Sequence, residues 1–215
     1  MSLLRRAAFR NQSYTLSKFS REDQIKIGFQ YILVSLLAFA VGFLLCKAVP
    51  QDIRRSAEQA IAVHFEIPFR YVSSWKEVLL LVLDYAKKDL LFILTVFLSS
   101  LTVLSIPISE LLLFLQCGVF GITTSLLLQA GQSALYPPNP LQIFGFVAFR
   151  SLFLILSVFY AWKAASFSQS IRSFMANGRM AFNHRFFLRF AADTFTVAGT
   201  VLFICCGYCF FIFEN

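Results

Sequence analysis

The chain has 215 residues and a formal net charge of +8, with 58% hydrophobic, 17% aromatic and only 14% charged residues. Its mean hydropathy of +0.71 gives it more apolar surface than a soluble domain of this length can bury, so lipid must be part of its solvent. That excludes an ordinary water-soluble enzyme. The bases are split between short segments, which argues against nucleic acid as a partner.

A hydrocarbon layer roughly 30 Å thick takes about 20 apolar residues in a helix, and charge-free runs of that length recur along the chain. Residues 1–26 are a basic tail with six Lys or Arg against two acids. The first span follows at 27–46. The long charged leader before it, and the lack of a small-x-small site after it, predict a retained helix and not a cleaved signal.

Between 50 and 89 the chain becomes charged and helix-periodic. Ile53, Ala57, Ala60, Ile61 and Phe65 recur at three-to-four spacing before Pro68, predicting a short amphipathic helix. A second places Val72, Trp75, Leu79, Val82, Leu83 and Ala86 on one side, and Lys76, Glu77, Asp84, Lys87 and Lys88 toward the other. Tyr71, Trp75 and Tyr85 carry rings suited to headgroup depth. Both helices are expected on the outer leaflet, packing on lipid and span tops, with Trp75, Lys76, Glu77, Asp84, Lys87 and Lys88 as candidate partner-binding residues.

The second span is expected at 90–109, with Pro107 making the turn into the third. Residues 111–149 are all uncharged, too long for one helix, and are cut by Gly131 and by Tyr136-Pro137-Pro138-Asn139-Pro140. Prolines lack a backbone donor and crowd the preceding turn, so this stretch reads as two spans, 111–129 and 141–162. The fifth span is 194–213. Gly118 and Gly121 on the third span, with Ser99, Ser100 and Ser105 on the second, are small residues that let helix backbones approach. The fold class is therefore all-α, a polytopic membrane protein of about five transmembrane helices, arranged as a tail at 1–26 and a membrane domain at 27–215.

Orientation follows from the bases. The segment 163–189 holds five Lys or Arg and no acid, whereas 47–89 is nearly balanced at seven bases and six acids. The positive-inside rule puts 1–26 and 163–189 in the cytoplasm, with 50–89 and the C-terminus outside a cell membrane. Excess positive charge near the surface is attracted to anionic lipid, which makes membrane lipid the first expected partner.

Arg150 sits near the middle of the fourth span, where a lone charge costs at least about 2.5–3.5 kcal/mol. It needs a partner. Asp193, at the entry of the fifth span, and Glu110, at the entry of the third, are the candidates. The arrangement fits a structural lock, a site for a partner's transmembrane segment, or a substrate pathway.

The five cysteines, Cys46, Cys117, Cys205, Cys206 and Cys209, lie in apolar spans. One helix cannot supply a tetrahedral metal site, and His64 and His184 fall on opposite sides. No metal, cofactor or catalytic residue is expected, since there is no P-loop, no His-Glu-x-x-His and no nucleophile grouping.

Residues 85–128 read YAKKDLLFILTVFLSSLTVLSIPISELLLFLQCGVFGITTSLLL. The polar start Lys87-Lys88-Asp89, the span ending Leu104-Ser105-Ile106-Pro107, the run Leu112-Leu113-Phe114-Leu115 and Gly121 resemble the stage II sporulation protein M family. Chain length, five-span topology and Ala165-Ser166-Phe167-Ser168 after the fourth span are also similar. Where that family carries a proline and asparagine element in the fourth span, this chain has Phe149-Arg150-Ser151. The resemblance implies a non-catalytic scaffold that positions a cell-wall amidase and a lytic transglycosylase during engulfment of the forespore. The alternative is a membrane subunit of a transporter or ABC-type permease, although the halves show no internal repeat.

Overall fold

In the computed structural model, the described residues are 2–50, 52, 55–56, 75–102, 104–130, 140–176 and 184–214. Of the amphipathic helix expected at 53–65 only 55–56 are among them; Ile53, Ala57, Ala60, Ile61, His64, Phe65 and Tyr71, and the Pro137-Pro138-Asn139 turn, lie outside.

Helix α1, Ser2–Ala48, continues from the basic tail through the first span. After it come α2, Trp75–Ser100, α3, Ser105–Ala130, α4, Pro140–Ala176, and α5, His184–Glu214. No strand occurs among the described residues. The chain is an all-α polytopic membrane protein: α1, α3, α4 and α5 are each long and apolar enough to cross a bilayer. Helix α2 has the length but carries Asp84, Lys87, Lys88 and Asp89 in its middle.

Two boundaries differ from the sequence expectation. The second amphipathic helix and the second span are one helix, and the chain passes into the third span between Ser100 and Ser105, ahead of Pro107. Hydroxyls end α2 by bonding back to the last turn: Ser99 Oγ donates to the Val96 carbonyl at 2.9 Å, and Thr102 Oγ1 to the Ser99 carbonyl at 2.7 Å. Such local bonds compete with the helix ladder. Pro107 then falls in the first turn of α3, where a missing N–H costs nothing. The segment 163–189, expected as a basic loop, is helical up to Ala176 and again from His184.

Contact pairs give the relative directions. Helices α1 and α3 run parallel with a constant offset, Gln30 Nε2 donating to Glu110 Oε1 and Ala38 facing Gly118. Helices α4 and α5 are antiparallel, shown by Lys163 with Asp193, Tyr160 with Thr194, and Phe149 with Tyr208. The bundle is stapled at the Lys163 end by stacked rings, Phe167 on Phe190 at 4.2 Å and Phe97 on Phe190 at 5.7 Å.

The tightest seam joins α1 to α3. A Cβ on Gly42 would run into the Gly118 carbonyl oxygen, and one on Gly121 into the Phe39 carbonyl oxygen. Lipid-facing helices have little hydrophobic drive to associate, so close backbone contact through small residues must supply the attraction. Gly199 on α5, by contrast, faces open space. Gly42→Ala is expected to lower stability by about 1–3 kcal/mol through overpacking, and Gly199→Ala to cause no loss. Thermal unfolding of the two variants in the same detergent checks this.

Candidate functional site

A buried ion pair lies where α2, α4 and α5 converge. On α2, Val82, Ala86, Asp89, Ile93, Val96 and Ser100 are all buried, a three-and-four spacing that forms the helix's inward stripe. Asp89 belongs to that stripe. Its neighbours Lys87 and Lys88, turned by the helical step, are exposed. On α4 the inward face includes Phe146, Phe149, Arg150 and Phe153, of which Phe153 is fully buried.

Arg150 Nη1 donates to both oxygens of Asp89, at 2.8 Å to Oδ1 and 2.7 Å to Oδ2. The Asp89 side chain is 4% exposed and that of Arg150 26%, so the carboxylate depends almost wholly on this partner. The guanidinium carbon also lies 4.8 Å from the Phe153 ring centroid, a cation–π contact, and Phe153 meets Phe92 edge-on at 6.5 Å. Tyr208 on α5 covers the pair with rings on three sides: Tyr85 at 5.8 Å, Phe149 at 5.7 Å and Phe146 at 6.2 Å. A cavity of 60 Å3 borders Asp89, Arg150, Cys205 and Tyr208. It has room for ordered water to meet the guanidinium donors that Asp89 does not take.

The partner of Arg150 is thus Asp89, and neither Asp193 nor Glu110. Depth is the reason. Arg150 and Lys163 are thirteen residues apart on α4, about 20 Å along the axis, and Asp193 pairs with Lys163 at 3.0 Å. Glu110 sits in the second turn of α3 and accepts from Gln30 of α1. The three acids are therefore distributed over three different seams. Asp89 was missed because a charge beside Lys87-Lys88 reads as the edge of a span, although the Val82-Ala86-Asp89-Ile93 spacing places it on the core side.

The remaining candidates separate into two groups. Lys76, Glu77, Asp84, Lys87 and Lys88 are exposed along α2, whose first residue is Trp75. Pro107, Gly118 and Gly121 lie on α3, the glycines against α1. Cys205 and Cys209 are buried near the ion pair, and Cys46 and Cys117 near the α1–α3 seam. Among the described residues no three His, Cys, Asp or Glu side chains converge as a metal site would need.

Fold and site together define a polytopic helical membrane protein whose central polar feature is an internally paired charge. No family model, curated protein or solved structure matches the chain.

Removing one member of a buried pair leaves the other uncompensated, which costs about 3–5 kcal/mol, whereas an apolar replacement of both is often neutral. Arg150→Leu and Asp89→Leu should each destabilise the bundle by that amount. The double variant Asp89→Leu/Arg150→Leu should recover most of the loss, as read by a double-mutant cycle of thermal or denaturant unfolding in detergent.

Proposed function

We propose that the chain is a non-enzymatic membrane scaffold whose α2 presents a charged platform to partner proteins. One observation carries this reading: the charged residues Lys76, Glu77, Asp84, Lys87 and Lys88 are exposed on a helix whose opposite side is clamped into the bundle by Asp89 and Arg150. A helix held this way displays those charges on the side turned away from the bundle. The bias of Lys and Arg toward 1–26 and 163–189 supports a cytoplasmic N-terminus, with the start of α2 and the C-terminus outside the cell membrane.

The resemblance of residues 85–128 to the stage II sporulation protein M family gives the platform its proposed partners. These are a cell-wall amidase and a lytic transglycosylase, brought to the engulfing membrane of a spore-forming cell. An outward platform on a membrane anchor suits enzymes whose substrate is peptidoglycan. The inner ion pairs, each already matched, favour a static mount over a pathway in which charges must change partners.

Photocrosslinkers at Lys76 and Lys87 are expected to capture a wall hydrolase in sporulating cells. Capture of a nucleotide-binding subunit by a crosslinker at Arg172 would instead establish transport. Reporter fusions at residue 76 should be active only outside the cytoplasm.

A further inference from the structure

Helix α2 carries charge on a face that its own bundle leaves exposed. Leu80, Asp84, Lys87, Leu91, Leu94 and Leu98 recur at alternating four- and three-residue steps, the spacing of the a and d positions of a heptad. They lie opposite the buried stripe, and all six are exposed, the four leucines by half or more. Leucine on a lipid-facing stripe is ordinary, since lipid tails are as apolar as leucine. The two charges are not. The runs 27–46, 111–129 and 194–213 of the other spans hold no charge, and Arg150 is turned inward to Asp89.

Their level in the bundle sharpens the point. Asp89 with Arg150 and Phe92 with Phe153 set α2 and α4 side by side in one direction, at a constant offset of 61 positions. The same offset puts Asp84 level with Gly145 and Lys87 level with Ala148, inside the apolar stretch Ile143–Arg172 with which α4 can cross a bilayer. Charge facing hydrocarbon at that level is costly and calls for a counter-charge. The described residues do not supply one. Their ion pairs are Arg150 with Asp89 and Lys163 with Asp193, and Asp84 and Lys87, three residues apart on one helix, do not pair with each other. A lone ammonium can snorkel to the surface, whereas an acid and a base fixed in one seam specify a partner of matching charge.

The pattern selects a second copy of the same chain. A helix of another protein would have to carry a base and an acid at matching heights. A second copy carries them by symmetry. Chains inserted in one membrane share one direction, so a two-fold axis along the membrane normal brings two α2 seams together in parallel, with each contact made twice. Asp84 and Lys87 differ in height by about 4.5 Å, which a lysine stem spans, so the four charges settle as a ring of alternating sign. From Leu80 to Leu98 the seam is about 27 Å long, close to the roughly 30 Å of hydrocarbon it has to cross, and its leucines interlock as knobs into holes.

We infer that two copies of the chain pair through α2, with Asp84 of each copy bound to Lys87 of the other. The pairing goes beyond the platform reading and does not rest on it; where both hold, two platforms stand side by side, with Lys76 one turn above the seam.

The test uses the full chain in liposomes. Leu91→Cys, in the middle of the seam, should form a disulfide-linked dimer on mild oxidation, while wild type and Ile155→Cys, exposed on α4, should not. Asp84→Lys or Lys87→Asp alone sets like charges in adjacent layers and should weaken dimerisation about tenfold or more, read by energy transfer between labelled chains over a series of lipid dilutions. The exchange variant Asp84→Lys/Lys87→Asp should restore it to near the wild-type level, because both reciprocal pairs re-form with their signs reversed. If a single-charge variant fails to fold, the comparison of Leu91→Cys with Ile155→Cys keeps the native charges and decides alone. Three results would overturn the inference: no energy transfer above that of a monomer, linking at Leu91→Cys no faster than at Ile155→Cys, or a folded exchange variant that stays dissociated. Capture of a wall hydrolase at Lys76 by a chain that remains monomeric would end this inference and leave the platform reading standing; a dimer that captures no hydrolase does the reverse.

Discussion

The arrangement of α2, α4 and α5 depends on one desolvated ion pair. Neither Asp89 nor Arg150 has an acceptable alternative inside a bilayer: an unpaired charge there costs several kcal/mol, and lipid offers no compensating dipole. A buried pair is weak evidence for stability, since apolar residues of similar volume could serve as well. Its value is selectivity. A register slip in α2 would carry Asp89 off the inward stripe and leave Arg150 without its carboxylate, so only one packing of the three helices satisfies both groups. The aromatic ring wall of Phe153, Tyr208, Phe149 and Tyr85 reinforces this by excluding lipid tails from the charges.

The rest of the bundle is joined by other means, suited to different depths. At the α1–α3 seam no charge is present at the Gly42 and Gly118 crossing, and the helices meet backbone to backbone. Dispersion between close-packed atoms carries that contact. Toward the Lys163 end the connections turn polar: Lys163 with Asp193, Gln30 with Glu110, Trp162 with the Gln24 carbonyl, and Ser168 Oγ with the Thr102 carbonyl at 3.0 Å. Among the described residues these polar connections gather at one end of the bundle, and the Asp89–Arg150 pair lies apart from them.

Four of the five long helices among the described residues were legible in the sequence because a charge-free run of about 20 residues has few readings other than a span. Residues 27–46, 111–129, 141–162 and 194–213 fall within α1, α3, α4 and α5. Helix α2 was not legible in the same way. Counting charges divides it at Asp89 into a surface helix and a span, whereas the spacing of Val82, Ala86, Asp89, Ile93 and Val96 joins the halves. The ion pair was half legible: Arg150 stood out as a charge within an apolar run, but its partner lay 61 positions away on a helix whose depth was misjudged. The end of α2 at Ser100 was hidden because Ser99, Ser100 and Thr102 end the helix through hydroxyl bonds, and hydroxyl residues are also common inside membrane helices.

The distribution of charge on α2 bears on what the bundle is for. Of the charges between Lys76 and Asp89, only Asp89 faces inward, and it is consumed by Arg150. A pathway for ions or polar solutes would need inner charges that exchange partners during a cycle, and each exchange here would strand a carboxylate that is 4% exposed at a cost of several kcal/mol. A mount of the kind proposed needs the reverse: an inner pair that does not move and charges presented on the outer side of the helix. Because Lys87 and Lys88 adjoin Asp89 on one continuous helix, the fixed pair also fixes the direction in which they point. A partner reading those charges would therefore meet a surface already ordered before it arrives, and would not have to offset the entropy of ordering it.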